Sequence, residues 1–222
     1  MSLTLWFHPL SSFCHKVLVA LYDAGIAFTP RHVNPGDPAD RAALAGMSPL
    51  GKMPVLQDHG RDAVICETSL IIAYLARHDP GARRLLPADP DQAMQAHVWD
   101  RVFDMHVQGA MQPVVNARLF MDPSAEPAVT AFAHRELDRA YAAADRHLAG
   151  RDWLAGDFGL ADCAALPALF YAGILHPFAA HPHLSSYFER LIARPSAARV
   201  LDEARPVLDM FPFAEKIPAR FR

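Results

Sequence analysis

Leu3–Leu21, LTLWFHPLSSFCHKVLVAL, is the stretch on which the reading of this chain turns. Leu3-Thr4-Leu5-Trp6-Phe7 is an apolar run of strand length. His8-Pro9 ends it, because proline has no N–H to give to a ladder. Ser11 and Ser12 are both good N-caps, and Phe13, Val17, Leu18 and Leu21 recur on one face of the helix that follows. The corner between strand and helix therefore carries two hydroxyls and Cys14 beside unpaired amides and the positive end of a helix dipole. Such a corner stabilises an anion. If the anion is a thiolate, its pKa falls and it becomes a nucleophile at neutral pH. Simple helix capping explains the same residues, so the corner alone does not separate capping from catalysis.

Outward from this corner, Asp23-Ala24-Gly25 stops the helix and Ile26–Val33 reads as a second strand, with Pro30 marking an edge or a bulge. Strand, helix and strand in so short a span predict a right-handed parallel crossover. After the loop Asn34–Pro38 comes a short polar helix through Arg41 to Ala45. Ser48-Pro49-Leu50-Gly51-Lys52-Met53-Pro54-Val55-Leu56 then describes a tight turn entering a strand. Asp58–Asp62 has hairpin chemistry, and Ala63–Cys66 pairs back antiparallel. A helix from Glu67 to about His78 follows, with Glu67 and Thr68 in its first turn.

The reading thus gives a βαβ–ββα unit over residues 1–78, a proline-rich linker over 79–90 and an all-helical region over 91–222. In that region a long helix, Asp91 to about Met121, is expected to kink near Gly109 and Pro113, and Ala125–Leu148 forms a second helix. Leu160–His176 is apolar enough to be a central buried helix, and two shorter helices cover Leu184–Ala193 and Ser196–Leu208.

With 222 residues, of which 52% are hydrophobic, the chain can bury two cores. Its net charge of −3 gives no basic field for nucleic acid. The three cysteines are odd in number and far apart, which argues against a disulfide framework and for a reducing compartment. Met1-Ser2-Leu3 lacks the basic and apolar regions of a leader, and no run is long enough for a membrane span, so a cytoplasmic protein without membrane partners is expected. The histidines show no zinc spacing, and no metal is expected.

Ser-Ser-Phe-Cys at the first helix, Ser-Pro-Leu-Gly-Lys-Met-Pro-Val-Leu before a strand and Ile-Cys-Glu-Thr-Ser-Leu-Ile-Ile-Ala-Tyr-Leu after a hairpin stand in order, ahead of an all-helical region. Together they resemble the cytosolic glutathione transferase family, in its serine- or cysteine-type branches with zeta- and tau-like members. The resemblance implies an α/β thioredoxin-like N-terminal domain that holds glutathione as co-substrate. It also implies an all-α C-terminal domain that shapes a pocket for a small hydrophobic electrophile and forms a homodimer interface. Val98, Val102 and Phe103 are the apolar face expected for the second copy.

The resemblance also implies site roles. Pro54 would be cis, with the Met53 backbone pairing strand-like with the tripeptide. Glu67 and Thr68 match the family's Glu-Ser pair, with threonine for serine, and would hold the γ-glutamyl end. Lys52, or more weakly Arg41, would meet the glycyl carboxylate. The first strand holds no tyrosine, so Ser11 falls at the residue facing the glutathione sulfur, with Ser12 and Cys14 as fallbacks. His8, Met105, His106, Met111, Met121 and Phe213 are candidates for the electrophile pocket. Asp162 matches a position that caps the central helix of the second domain, although Gly159 stands where a serine or threonine is usual.

Two other functions stay open at this point. One is glutathione-dependent thiol–disulfide exchange or isomerisation through Cys14 or Ser11. The other is non-catalytic ligand binding on the same fold.

Overall fold

The opening apolar run forms β1 (Leu3–Phe7) in the computed structural model, which describes residues 2–222. Leu3, Leu5 and Phe7 are buried while Thr4 and Trp6 are half-buried, the alternation a strand imposes. β1 pairs in parallel with β2 (Thr29–His32) and antiparallel with β3 (Val55–Asp58), which in turn pairs with β4 (Ala63–Cys66). The strand order is β2-β1-β3-β4. β2 is shorter than its sequence suggests and lies at the edge, where the missing N–H of Pro30 leaves no ladder partner unserved.

Between β1 and β2 runs α1 (Ser12–Asp23), and it is buried continuously from Cys14 to Leu21. A one-faced helix was expected, yet α1 is covered on several sides. α3 (Thr68–His78) packs against it from the sheet domain, and two helices of the second half, α7 (Leu160–Leu175) and α9 (Pro195–Ala204), close over it. α2 (Pro38–Met47) begins at Asp37, whose side chain accepts from the Ala39 amide.

The segment after α3 is not a loose tether. Ala82 and Leu85 are fully buried in it, and a Cβ at Gly81 would stand 2.6 Å from the Ala24 carbonyl oxygen. The long helix expected over 91–121 is three pieces: α4 (Pro90–Arg101), a π-helical stretch Val102–Gln108 and α5 (Gly109–Phe120). The irregularity thus precedes Gly109, whose amide reaches back to the Asp104 carbonyl, and Pro113 is carried within α5. Phe103 is completely buried beside Trp99, one turn earlier on the same face, so it belongs to the core and not to the apolar face expected for a dimer. Met94, Val98 and Met105 are the exposed large apolar residues of α4 and the π-helical stretch.

α6 (Glu126–Leu148), α7, α8 (Pro182–Ile192) and α9 complete the helical half, and short 3₁₀ turns carry the tail to Phe221. Among the described residues no helix is long and apolar enough to cross a membrane.

Asp162 sits in the first turn of α7, where its carboxylate accepts from the Gly159 amide at 3.0 Å, the Leu154 amide at 3.2 Å and the Tyr187 hydroxyl at 2.6 Å. The glycine that replaces the usual hydroxyl residue has a packing reason: a Cβ at Gly159 would lie 2.7 Å from the Leu85 carbonyl oxygen. Helix nucleation is therefore not in doubt, because the carboxylate alone organises the turn. Burial raises the Asp162 pKa to about 6 against these three donors. Asp162→Asn keeps one acceptor but turns an amide group toward one of the donors. We expect it to cost about 2 kcal/mol in urea unfolding at neutral pH; a change below about 0.5 kcal/mol would contradict that account.

Candidate functional site

Strand register gathers three loops at one end of the sheet. Trp6 lies opposite Val55, and Val55 lies opposite Cys66. The residues just beyond them, His8–Ser11 after β1, Met53–Pro54 before β3 and Glu67–Thr68 after β4, therefore emerge at the same edge. The Met53–Pro54 bond is cis.

Ser11 is the N-cap of α1 and is partly exposed. Its Oγ accepts from the Cys14 amide at 3.4 Å, which leaves the hydroxyl hydrogen free to be donated elsewhere. Ser12 is the first helical residue, so only one of the two serines caps. The preceding turn is tied three times. The Ser11 amide reaches the His8 carbonyl at 3.0 Å, the Leu10 amide reaches His8 Nδ1 at 3.1 Å, and the Tyr171 hydroxyl donates to the Leu10 carbonyl at 2.7 Å. His15 is wholly buried, and burial lowers its pKa to about 4; it remains neutral and its Nε2 meets the Pro9 carbonyl at 2.5 Å.

Both serines open onto a cavity of about 270 Å³ whose other walls are Leu10, Phe13, Met111, Val115, Leu119, Tyr171, Gln108 and Gln112, with Met210–Pro212 from the tail. Of the residues expected to line an electrophile pocket, only Met111 lines this cavity. His8 closes its own turn, Met105, His106 and Met121 are exposed elsewhere, and Phe213 is buried under the Arg118 guanidinium 3.7 Å away. Phe211 takes the wall that Phe213 was expected to supply. A larger cavity, about 620 Å³, lies between β1, α1, β2 and α9. There Tyr22 donates to Glu203 at 2.6 Å and Arg199 to Glu203 at 2.9 Å, so its polar groups are turned on one another and not toward a ligand.

Glu67 stands at the N-cap position of α3, not inside its first turn, and makes no side-chain capping bond. Its backbone is left-handed, φ 68°, an arrangement that glutamate adopts at some cost and that leaves its carboxylate exposed. Thr68 is buried beside it. Lys52 is exposed on the turn before Met53. Arg41 is engaged elsewhere, donating to the Pro35 carbonyl at 3.0 Å and the Gly36 carbonyl at 2.9 Å, so it closes its own loop.

Known proteins carry the same plan. The glutathione S-transferase N-terminal domain model matches residues 5–83, and the C-terminal domain model matches residues 102–195. Glutathione S-transferase 3 of Zea mays is 32% identical over 205 residues, covering 87% of this chain and 90% of its own length. The chain belongs to the glutathione transferase family. Glutathione S-transferase GstB of Escherichia coli is a further relative of this transferase, 27% identical over 208 residues, with 90% of this chain and 97% of that protein covered. Among solved structures, a glutathione S-transferase of Methylobacterium radiotolerans in complex with glutathione sulfonate superposes with a TM-score of 0.76 at 30% identity, covering 90% of this chain and 94% of its own. One from Methylobacillus flagellatus with glutathione bound shares the fold, with a TM-score of 0.81 at 24% identity over 90% and 98% of the two chains.

Cys14 of the transferase is fully buried, and that burial pushes its thiol pKa up to about 11, against weaker opposing bonds from Ser11 and the His8 backbone. It is a packing thiol. Behind the site lies a group that sequence reasoning missed. Lys16, 1% exposed, pairs with Asp100 at 2.6 Å and Asp104 at 2.7 Å, and donates to Ser69 Oγ at 2.9 Å. Ser69 donates to Asp100 at 2.7 Å, and the half-exposed Arg101 bonds Ser69 and Asp104. Burial, the largest influence, raises the Asp104 pKa despite Lys16. The cluster fastens the starts of α1 and α3, hence both sides of the site in this transferase, to α4 and the π-helical stretch. The alternation of Asp100, Arg101 and Asp104 was the only signal of it in the sequence.

Proposed function

We propose that this glutathione transferase holds the glutathione thiol as a thiolate against Ser11 and directs it at an apolar electrophile. The sulfur forms a carbon–sulfur bond while a leaving group departs with its electron pair, or while the electrons move onto the electrophile's own oxygen. The observation that carries the reading is the Ser11 hydroxyl, held by the Cys14 amide at the start of α1 and facing an apolar cavity. In this reading the Met53 backbone beside Pro54 pairs with the cysteinyl part of the tripeptide, Glu67 and Thr68 receive the γ-glutamyl end, and Lys52 meets the glycyl carboxylate. Residues 1–78 then form the glutathione-binding domain, 79–90 the connection, and 91–222 the electrophile wall. The exposed Met94, Val98 and Met105 are the apolar face through which a cytoplasmic homodimer would form.

Disulfide exchange is disfavoured by the buried, weakly acidic Cys14, since a thiolate must exist and be reachable to attack. The test is retention on immobilised glutathione with elution by free glutathione, followed by conjugation of a chloro-nitroarene and reduction of hydroxyethyl disulfide. We expect retention, conjugation and negligible disulfide reduction. Retention without conjugation would leave the ligand-binding function, and loss of both would overturn the proposal.

A further inference from the structure

The tail, residues 205–222, reaches the Ser11 cavity as three apolar side chains, Met210, Phe211 and Pro212. The polar groups that line the cavity, Ser11, Ser12, Gln108 and Gln112 with the Tyr171 hydroxyl, belong to the helical elements around it. The tail's share of the wall is therefore the part that can grip an apolar ring.

Two kinds of contact seat that wall. Phe211 and Phe213 are almost wholly buried, and Phe211 packs against Tyr171 with ring centroids 5.2 Å apart. Apolar burial is non-directional, so it holds the tail down without fixing where along α5 it stands. Direction comes from Arg118, near the end of α5. Its Nη1 donates to the Pro212 carbonyl at 3.1 Å and to Glu215 at 3.2 Å, while Nη2 and Nε grip Glu126 at 2.7 and 3.3 Å. Its guanidinium also stands 3.7 Å over the Phe213 ring. Among the described residues, the bonds from Arg118 are the only hydrogen bonds that reach residues 210–217 from outside the tail. A planar fork of fixed donors suits this duty, because one edge takes Glu126 at the start of α6 while the other takes the tail.

We infer that Arg118 is a positioning residue of the electrophile site: by bonding the Pro212 carbonyl it fixes the neighbouring Phe211 against α5, and with it the grip of the cavity on an apolar ring. The inference rests on the reading of the Ser11 cavity as the electrophile site. Arg118 lines no part of that cavity, so its effect passes through the tail. A wall held in place before the ring arrives costs less to order on binding than one that must be ordered by the ring.

The test measures binding. Calorimetric titrations of the full chain are made with glutathione and with S-benzylglutathione on the wild type, Arg118→Met, Arg118→Lys, Phe211→Ala and the double variant Arg118→Met/Phe211→Ala. In the wild type the benzyl group should tighten binding about tenfold to a hundredfold over glutathione. Arg118→Met keeps an unbranched stem without a donor and should cut that factor to about threefold or less, with affinity for glutathione unchanged. Arg118→Lys, whose single ammonium cannot grip Glu126 and the Pro212 carbonyl as the fork does, should fall between the two. Adding Arg118→Met to Phe211→Ala should lose nothing more, since the wall that Arg118 places is already gone. The thiolate titration of bound glutathione should not shift in Arg118→Met. A full wild-type factor in Arg118→Lys overturns the inference even if Arg118→Met fails to fold. A loss in Arg118→Met that adds to that of Phe211→Ala, or a shifted titration, overturns it as well. If the wild type binds S-benzylglutathione no more tightly than glutathione, the reading of the cavity has failed and the inference falls with it; if the factor is present in the wild type and kept in both Arg118 variants, only the inference is lost.

Discussion

Bound glutathione is expected to lose its thiol proton about one to two pH units later in Ser11→Ala than in the wild type. A hydrogen bond to a charged group contributes about 1.5–3 kcal/mol, and each pKa unit corresponds to about 1.4 kcal/mol. The hydroxyl favours the thiolate, so its removal raises the sulfur pKa; between the two values only the wild type is mostly thiolate, and the fold deficit reaches its full size below the wild-type value. kcat/KM for a chloro-nitroarene should fall about ten- to a hundredfold at mildly acidic pH and recover toward alkaline pH. Ser11→Ala also removes a helix cap, at about 1 kcal/mol of stability, so unfolding is measured alongside. Ser12→Ala, titrated in the same way by thiolate absorbance, distinguishes the two hydroxyls. An unshifted titration in Ser11→Ala would remove the assignment, and a shift confined to Ser12→Ala would transfer it.

Lys16→Met should destabilise the fold by about 3–5 kcal/mol at neutral pH. Lys16 and the Asp100 and Asp104 carboxylates are almost wholly buried, and only the half-exposed Arg101 would remain to oppose two negative charges. For a chain of this size, that loss corresponds to a fall of about 10 °C in Tm. The sign of the pH dependence follows from Asp104. Its pKa is already raised in the folded protein, and without Lys16 it rises further. A carboxyl whose folded pKa lies above the unfolded one favours folding below the unfolded pKa and loses that contribution as pH rises through the folded value. The deficit of Lys16→Met relative to the wild type should therefore shrink on acidification toward the ordinary carboxylate pKa and be complete at neutral pH. Urea unfolding at mildly acidic and neutral pH reads both quantities. A deficit below about 1 kcal/mol, or one that grows on acidification, would contradict this account of the cluster.

The contrast between these two residues explains what was legible in the sequence. Ser11 could be read because the signals that make it a cap are local: an apolar run, a proline and hydroxyls ahead of a helix. The hairpin at Asp58–Asp62 and the turn at Met53–Pro54 were legible for the same reason. Lys16 sits four residues into the same helix, yet its partner Asp104 is 88 residues away. Nothing near Lys16 announces that α7 and α9 cover the outer side of α1. Phe103 was misjudged because it was grouped with Val98 and Val102, whereas it shares its face with the buried Trp99 one turn earlier. Phe213 was misjudged because the tail has no period to say which of its aromatics turns inward. Gly159 looked like a missing cap; the reason for it is the Leu85 carbonyl, which belongs to a segment that read as a linker.

A crystal structure of this transferase with glutathione tests the central claim most directly. The account predicts the tripeptide's sulfur within hydrogen-bonding distance of Ser11 Oγ, beside the cavity that Ser11, Phe13 and Phe211 line. A sulfur held by another group, or lying away from the start of α1, would contradict it.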